Sequence, residues 1–421
     1  MRLIIDTTEL YKVKIYVIGG GAAGYFAAIS AASTGNAQVT ILEKSSNLLA
    51  KVKVSGGGRC NVTHSCFKPV DLSRRYPRGE KFLKKAFGKF MTTDTIQWFE
   101  DRGVTLKTED DGRMFPVTDN SQTIIDCLQK EARNLGVTVK TRQEVQEILP
   151  SEEGGIWLSV KGGSERIFAD KVIVTTGGSP KEAGLNWLKE LGHAIEKPVP
   201  SLFTFNMPTE KVRELMGVAV PNAKVKVLGT KLESEGPLLI THWGMSGPAI
   251  LRLSAWGARE LADKQYQFKA SINWLPEWKE EPFRAHLQKV RQEFGPRKVG
   301  NRNPFELPKR LWAYLIERME ISEEKRWADL SKKDWNKIVV TLLTDEYTVS
   351  GKTTFKEEFV TCGGVSLADI DVKTMESRVV KGLHFAGEVM DIDGITGGFN
   401  FQAAWTTGFV AGTSAAKDQA Q

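Results

Sequence analysis

Hydrophobic residues fall in blocks along the chain, and the period of each block predicts its element. Val13–Ile18 is mostly apolar and partly β-branched, which predicts a buried strand. Small residues over Ala22–Ser33 predict a closely packed helix, Gly35-Asn36 a turn, and Val39–Leu42 a second strand. Helices are expected at Glu80–Phe90 and Asp94–Arg102, the second signalled by Thr92-Thr93-Asp94 with Gln97 and stopped by Gly103. Gly112–Pro116 reads as a turn or short strand. A stripe of Ile125, Leu128, Ala132 and Leu135 makes Ser121–Leu135 helical. Short strands follow at Val137–Lys140 and Glu144–Leu149, a hairpin at Ile156–Val160 with Arg166–Phe168, and a buried strand at Asp170–Thr176. Up to about residue 180 this is a doubly wound α/β pattern with a small antiparallel insertion.

From about Pro198 the texture changes. Extended segments (Leu202–Met207, Lys224–Leu228, Tyr266–Ile272) alternate with turns. Charged helical stretches follow at Pro282–Phe294, Pro304–Met319 and Ser331–Leu343, the last with a Ser331–Asp334 capping box. Near residue 360 α/β texture returns. A short strand at Leu383 ends in Gly387-Glu388, and a loop opens onto a helix, Phe399–Ala416, rich in small residues. The chain's 421 residues exceed what one core usually serves, so two domains are expected. No apolar run approaches a membrane span and no signal-type core leads the chain, so cytoplasmic residence is expected.

The first strand empties into Gly19-Gly20-Gly21-Ala22-Ala23-Gly24, which fits G-x-G-x-x-G at Gly19, Gly21 and Gly24. Gly19 permits the turn, Gly21 lets backbone approach a pyrophosphate, and Gly24 lets helix pack on strand. The helix start offers free N–H groups to the anion. Glu43, with Lys44 beside it, closes the second strand about 20 residues on, where a carboxylate can bind a ribose diol. Downstream, Ser55-Gly56-Gly57-Gly58-Arg59-Cys60-Asn61 is the make-up of a loop wrapped against a phosphate or ring system. Near the other end, Gly387-Glu388 and the glycine-rich Asp391–Gly398 loop give a second place where a ligand can meet a helix start.

Other chemistry is sparser. In Thr241-His242-Trp243-Gly244-Met245-Ser246-Gly247-Pro248, His242 is a candidate proton carrier, and Ser246 is expected to cap a helix running to about Ala258. The four cysteines (Cys60, Cys66, Cys127, Cys362) form no zinc-type pairs, so no metal is expected. The net charge of +7 has local excesses at Arg74–Lys85 and Lys289–Arg310, both read as solvated faces, and no nucleic-acid partner is expected.

Four motifs carry a resemblance: GGGAAG at Gly19–Gly24, KVSGGGRCNVT at Lys53–Thr63, THWGMSGPAIL at Thr241–Leu251, and the tail from Thr361 through Trp405. With them the chain resembles a bacterial family of FAD-dependent oxidoreductases, within the glutathione-reductase-type flavoproteins, that includes aminoacetone oxidases and 3-dehydro-bile-acid reductases. The resemblance implies an FAD domain built from residues 1–198 and 356–421, with a β-rich and helical domain inserted over 199–355. It implies non-covalent FAD, held by Gly19–Gly24 at the pyrophosphate, Glu43 at the ribose and Ser55–Asn61 along the pyrophosphate and flavin. The Val145 backbone would meet the adenine, Thr176-Gly177-Gly178 the pyrophosphate, and Glu388 the ribityl chain. Gly397 leads into Gly398-Phe399-Asn400, whose backbone donors would face the pyrimidine end of the flavin.

The leading expectation is therefore an enzyme that passes a hydride between a small organic substrate and flavin N5, with oxygen or NAD(P)H completing the cycle. Thiol–disulfide chemistry at Cys60 and Cys66 competes with it, although the five intervening residues exceed the four usual in disulfide reductases. A non-enzymatic flavin- or RNA-binding role is a third reading. A plain NAD dehydrogenase fits the N-terminal motif alone but leaves the C-terminal helix unexplained. Substrate, direction and oligomeric state are left open.

Overall fold

A computed structural model describes residues 12–353 and 360–417. The chain divides into two compact units, one from Met1–Pro200 with Lys356–Gln421 and the other from Ser201–Phe355. In the first, β1 (Val13–Ile18), α1 (Ala22–Ala32), β2 (Ala37–Glu43), α2 (Ala50–Gly58), β3 (Thr138–Thr141), β4 (Lys171–Val174), β5 (Leu383–Phe385) and α3 (Phe399–Ala415) form the frame. The strands make one parallel sheet in the order β5-β4-β1-β2-β3. Ile18 pairs with Leu42 on one side and Val174 on the other, and Val174 with Phe385. The loops after β1, β2, β4 and β5 therefore leave the same carboxyl edge, where parallel sheets bind ligands. Ile15, Val17, Ile41, Ile173, Val174 and Phe385 are fully buried, as strands covered on both faces require.

The small residues of α3 have a packing cause. A side chain at Gly408 would lie 2.9 Å from the Ala23 carbonyl oxygen and 3.2 Å from the Ala27 nitrogen. One at Gly412 would overlap the Ala27 carbonyl. Gly408 thus sits level with Ala23–Ala27 and Gly412 with Ala27–Ala31, so α1 and α3 run in the same direction, backbone against backbone.

Several expected boundaries move. Lys51–Thr63 is not simply a loop: Ala50–Gly58 is helical, with a break where Ser55 is extended and Gly56 and Gly57 are left-handed. The second early helix starts at Thr92 rather than Asp94, because Asp94 accepts the Met91 N–H at 2.7 Å from within the first turn. Ser246 caps no helix. It ends the strand Gly244–Ser246, and Gly247, at φ 93°, leads into a helix over Pro248–Trp256. A second short helix covers Ala258–Asp263.

The second unit is a seven-stranded sheet built mainly from Asp345–Ser350, Gln267–Asn273, Ala219–Val227 and Glu233–Thr241, all antiparallel. The helices Glu280–Phe294, Lys309–Arg318 and Lys332–Leu343 bury Phe283, Leu311, Trp312, Trp335 and Ile338 in its core. Ser331 and Asp334 form the expected capping box.

Candidate functional site

The glycine turn after β1 is held from three sides. Gly19 is at φ 113°, and any side chain at Gly24 would run into the Gly19 carbonyl. Thr175, just past β4, donates its hydroxyl to the carbonyls of Ile18 and Gly19 at 3.0 Å each. That residue was not singled out in the sequence; its only signal is a hydroxyl at the end of a buried strand ahead of two glycines. Around Gly21 there is nothing within 4 Å of where a side chain would project. α1 begins at Ala22 with neither an acidic residue in its first turn nor a side-chain cap. An open, uncapped helix start of this kind accepts an anion. Glu43 accepts the N–H groups of Gly20 and Ser45, both at 2.8 Å, which fixes its carboxylate beside the turn.

At the same edge of the sheet, just past β5, lie Glu388 and its neighbours. Its carboxylate accepts Lys51 Nζ and the Thr361 N–H, each at 2.7 Å. A side chain at Gly178 would come within 2.6 Å of Glu388, so that glycine keeps the carboxylate accessible to the strand end. Thr361 Oγ1 is buried here without a hydrogen-bond partner. Gly387 answers to packing instead, since a side chain there would meet Ala23 at 2.8 Å, while its N–H donates to Thr407. Lys51 and Thr361 escaped sequence reasoning because their partner is more than 300 or 20 residues away, respectively.

Around the start of α3 the predicted residues converge. The Asn61 amide donates to the Thr63 carbonyl at 3.0 Å and accepts the Gly398 N–H at 2.9 Å. Asn400 clamps Gly394 through both its amide atoms, and Tyr76 donates to the Phe399 carbonyl at 2.7 Å. Arg78 grips the fully buried Asp393 in a two-pronged ion pair. The side chains of Asn61 and Asn400 are thus used inside the protein, which leaves the first-turn backbone N–H groups of α3 as the donors for a ligand. His64 stacks on Phe399 at 4.7 Å, and burial pulls its pKa below the ordinary histidine value.

Arg59 leans over the Phe115 ring at 4.0 Å and pairs with Glu109 at 2.6 Å, so it pins the loop rather than reaching freely outward. Gly57, Gly58 and Gly177 all have positive φ and open space beside them, and Thr176 is exposed. Val145 begins the Val145–Pro150 strand of a separate three-stranded sheet. Cys60 argues against the dithiol reading. It is buried at φ 62°, and burial pushes its thiol up to about 12, with a hydrogen bond involving Ser55 only partly opposing this. Such a thiol is protonated at neutral pH and does not attack disulfides. In the other unit His242 is exposed on the turn after Thr241, edge-on to Trp243 at 4.3 Å. Among the described residues no cluster suits a metal ion, and no helix is long and apolar enough to cross a membrane.

A family profile described as HI0933-like protein Rossmann domain matches residues 13–414. The chain belongs to this family. It is 29% identical over 421 residues to a 3-dehydro-bile acid delta(4,6)-reductase of Clostridium scindens, covering 96% of this chain and 99% of the relative. It is 31% identical over 407 residues to a ribosomal RNA dihydrouridine synthase of Escherichia coli, covering 93% and 95%. Among solved structures, the 3-ketosteroid-delta4-(5alpha)-dehydrogenase of Rhodococcus jostii RHA1 superposes with TM-score 0.53 at 14% identity, covering 99% of both chains. At that identity the likeness shows the fold alone. Family and fold bear out the expectation of an FAD-dependent oxidoreductase of Rossmann type. The expected absence of a nucleic-acid partner loses weight, because one of these relatives is named for ribosomal RNA.

The site fits FAD on its own geometry. Gly21, Gly57, Gly58 and Gly177 leave room against bare backbone, and the unpartnered Thr361 hydroxyl is available as a donor.

Proposed function

We propose that this chain is an FAD-dependent reductase of carbon–carbon double bonds conjugated to a carbonyl. The observation that carries this reading is the stagger of α1 and α3. Because Gly408 is level with Ala23–Ala27, α3 begins about four to eight residues ahead of α1 along a shared direction. At 1.5 Å rise per residue that is roughly 10 Å between two uncapped helix starts. A flavin dinucleotide needs its pyrophosphate at one such start and its ring at another, separated by a ribityl chain. The names of the two relatives add the reaction class. A delta(4,6)-reductase of a 3-dehydro-bile acid and a dihydrouridine synthase both saturate a double bond conjugated to a carbonyl.

When bound, FAD supplies a hydride donor at flavin N5. The chain's own residues bind and orient it. Gly19–Gly24 and Thr176–Gly178 hold the pyrophosphate, Glu43 with Lys44 the ribose, the Val145 backbone the adenine, and Glu388 the ribityl hydroxyls. Ser55–Asn61 would run along the pyrophosphate and the flavin. The backbone N–H groups of Phe399 and Asn400, at the start of α3, stabilise negative charge at the pyrimidine end. His242 is the candidate proton carrier and NAD(P)H the candidate reductant, in a cytoplasmic enzyme.

The test is anaerobic. The purified protein should show flavin absorbance, be reduced by NADH or NADPH, and be reoxidised by an enone or by uridine faster than by a saturated ketone. Absent flavin, not regained on adding FAD, or equal rates with saturated ketones would sink the reading. For His242, a His242→Ala variant with an unchanged rate across about pH 5 to 8 removes its role.

A further inference from the structure

The cofactor chemistry leaves one strongly charged surface of the first unit unused. Between Phe67 and Lys89 the exposed cations are Lys68, Arg74, Arg75, Lys81, Lys84, Lys85 and Lys89, against Asp71 and Glu80. In the helix Glu80–Ala86, Lys81, Lys84 and Lys85 stand at i, i+3 and i+4, and so share one face while Leu83 and Ala86 are buried on the other. Like charges at this spacing repel one another and disfavour the helix. Arg74 reaches Asp71 only at 3.9 Å, and Lys89 donates to the carbonyl of Lys373. Lys68, Arg75, Lys81, Lys84 and Lys85 form no ion pair with a carboxylate among the described residues. Beside them Phe67 is 51% exposed and Val70 42%, so an aromatic face lies next to the cations.

This surface is tied to the ring end of the site. The Ile395 N–H donates to the Arg75 carbonyl at 2.9 Å, and Tyr76 donates to Phe399. Arg78 holds Asp393, and Gly79 lies so close to Ile392 that a side chain would meet it at 2.8 Å. Three of these contacts fix the basic segment to the Asp391–Gly398 loop that opens α3, and the fourth fixes it to Phe399, the first residue of that helix. A row of cations one helical turn apart, with an exposed ring alongside, matches a single-stranded polynucleotide: phosphates meet the row and a base stacks on the ring.

We propose that Lys68, Arg74, Arg75 and the Lys81–Lys84–Lys85 face dock the phosphate backbone of single-stranded RNA, with Phe67 stacking a base. The inference rests on the reading of the site as a reductase of conjugated double bonds, since the uracil ring of such a strand belongs to that substrate class. An apolar surface for membrane binding would need more than two exposed hydrophobic residues, and the cations dominate here.

The probe is a fluorescein-labelled oligouridylate, titrated by anisotropy into the full-length, flavin-loaded protein over a range of salt. The triple variant K81Q/K84Q/K85Q should bind at least about tenfold more weakly, with a log–log salt slope shallower by about 2. Phe67→Ala should lose about tenfold with the slope unchanged, since stacking releases no counterions. Flavin content and thermal midpoint, unchanged in both, show that the fold is intact. Unaltered affinity and slope in the triple variant, or binding to phosphatidylglycerol vesicles but not to the oligonucleotide, would overturn the proposal. Binding is read without turnover, so a failure here leaves the reductase reading standing, and inert enones would remove that reading without touching the binding result.

Discussion

At the scale of single residues, the site depends on carboxylates whose positions are fixed by neighbours far away in the chain. Glu388 is aimed by Lys51 and the Thr361 N–H, and Lys51 is itself half exposed. Glu388→Ala should leave the N–H of buried Thr361 without its acceptor, at a cost of about 1–3 kcal/mol, while weakening flavin retention by about tenfold in a dialysis or ultrafiltration assay. Unchanged flavin affinity would remove its ribityl role. His384 behaves differently. Buried on β5, it is lowered to about 4 by desolvation, with Glu376 opposing, and one ring nitrogen contacts the Thr374 carbonyl while the other has no partner. The unfolded chain, with a histidine near 6.5, binds this proton first as pH falls, so stability is full above about pH 6.5 and is lost between there and about pH 4. The loss is of the order of 3 kcal/mol at most. Urea midpoints at neutral and mildly acid pH should show it, and His384→Asn, which can replace the donor to Thr374, should flatten that slope.

At the scale of elements, the stagger of α1 and α3 depends on glycines that allow backbone contact. Gly412→Val would drive a side chain into the Ala27 carbonyl, so the helices must separate or α3 must slide. A loss of several kcal/mol follows from overpacking at a backbone contact, together with reduced flavin content, measurable by chemical denaturation and by the flavin-to-protein absorbance ratio. A variant with normal flavin content and unfolding midpoint would show that the stagger has slack. The same pair shows what sequence can and cannot reveal. The strand–glycine–helix unit and the closing helix were legible because each is a local pattern: a buried run, a turn that needs glycine, a stripe of small residues. The reason for the small residues was not, because α1 and α3 lie almost 400 positions apart and the glycines of one answer to the carbonyls of the other. Thr175 and Arg78–Asp393 stayed hidden for the same cause. The Ser246 cap failed for a local reason: Gly247, free to adopt positive φ, takes the turn and leaves Ser246 in the strand.

At the scale of the whole molecule, two units with separate cores can be followed by separate reporters. Seven of the eleven tryptophans (Trp243, Trp256, Trp274, Trp278, Trp312, Trp327 and Trp335) lie in the inserted unit, whereas the proposed flavin contacts all lie in the other. The inserted unit also holds a buried polar knot. Asp345 accepts Trp274 Nε1 at 3.1 Å, Arg318 Nε at 2.7 Å and the Tyr347 hydroxyl, with its side chain only 4% exposed. Asp345→Ala strands three donors, one of them a guanidinium, at a cost of about 3–5 kcal/mol. That cost falls on the strand Asp345–Ser350 and its neighbour Gln267–Asn273, both in the inserted sheet, and on none of the residues around Gly19, Glu388 or Gly398. The expected outcome is a tryptophan transition at markedly lower denaturant, with flavin release shifting much less. If both signals move together by the same amount, the two units unfold as one cooperative body, and flavin retention would then report the stability of the inserted sheet as much as the quality of its own site.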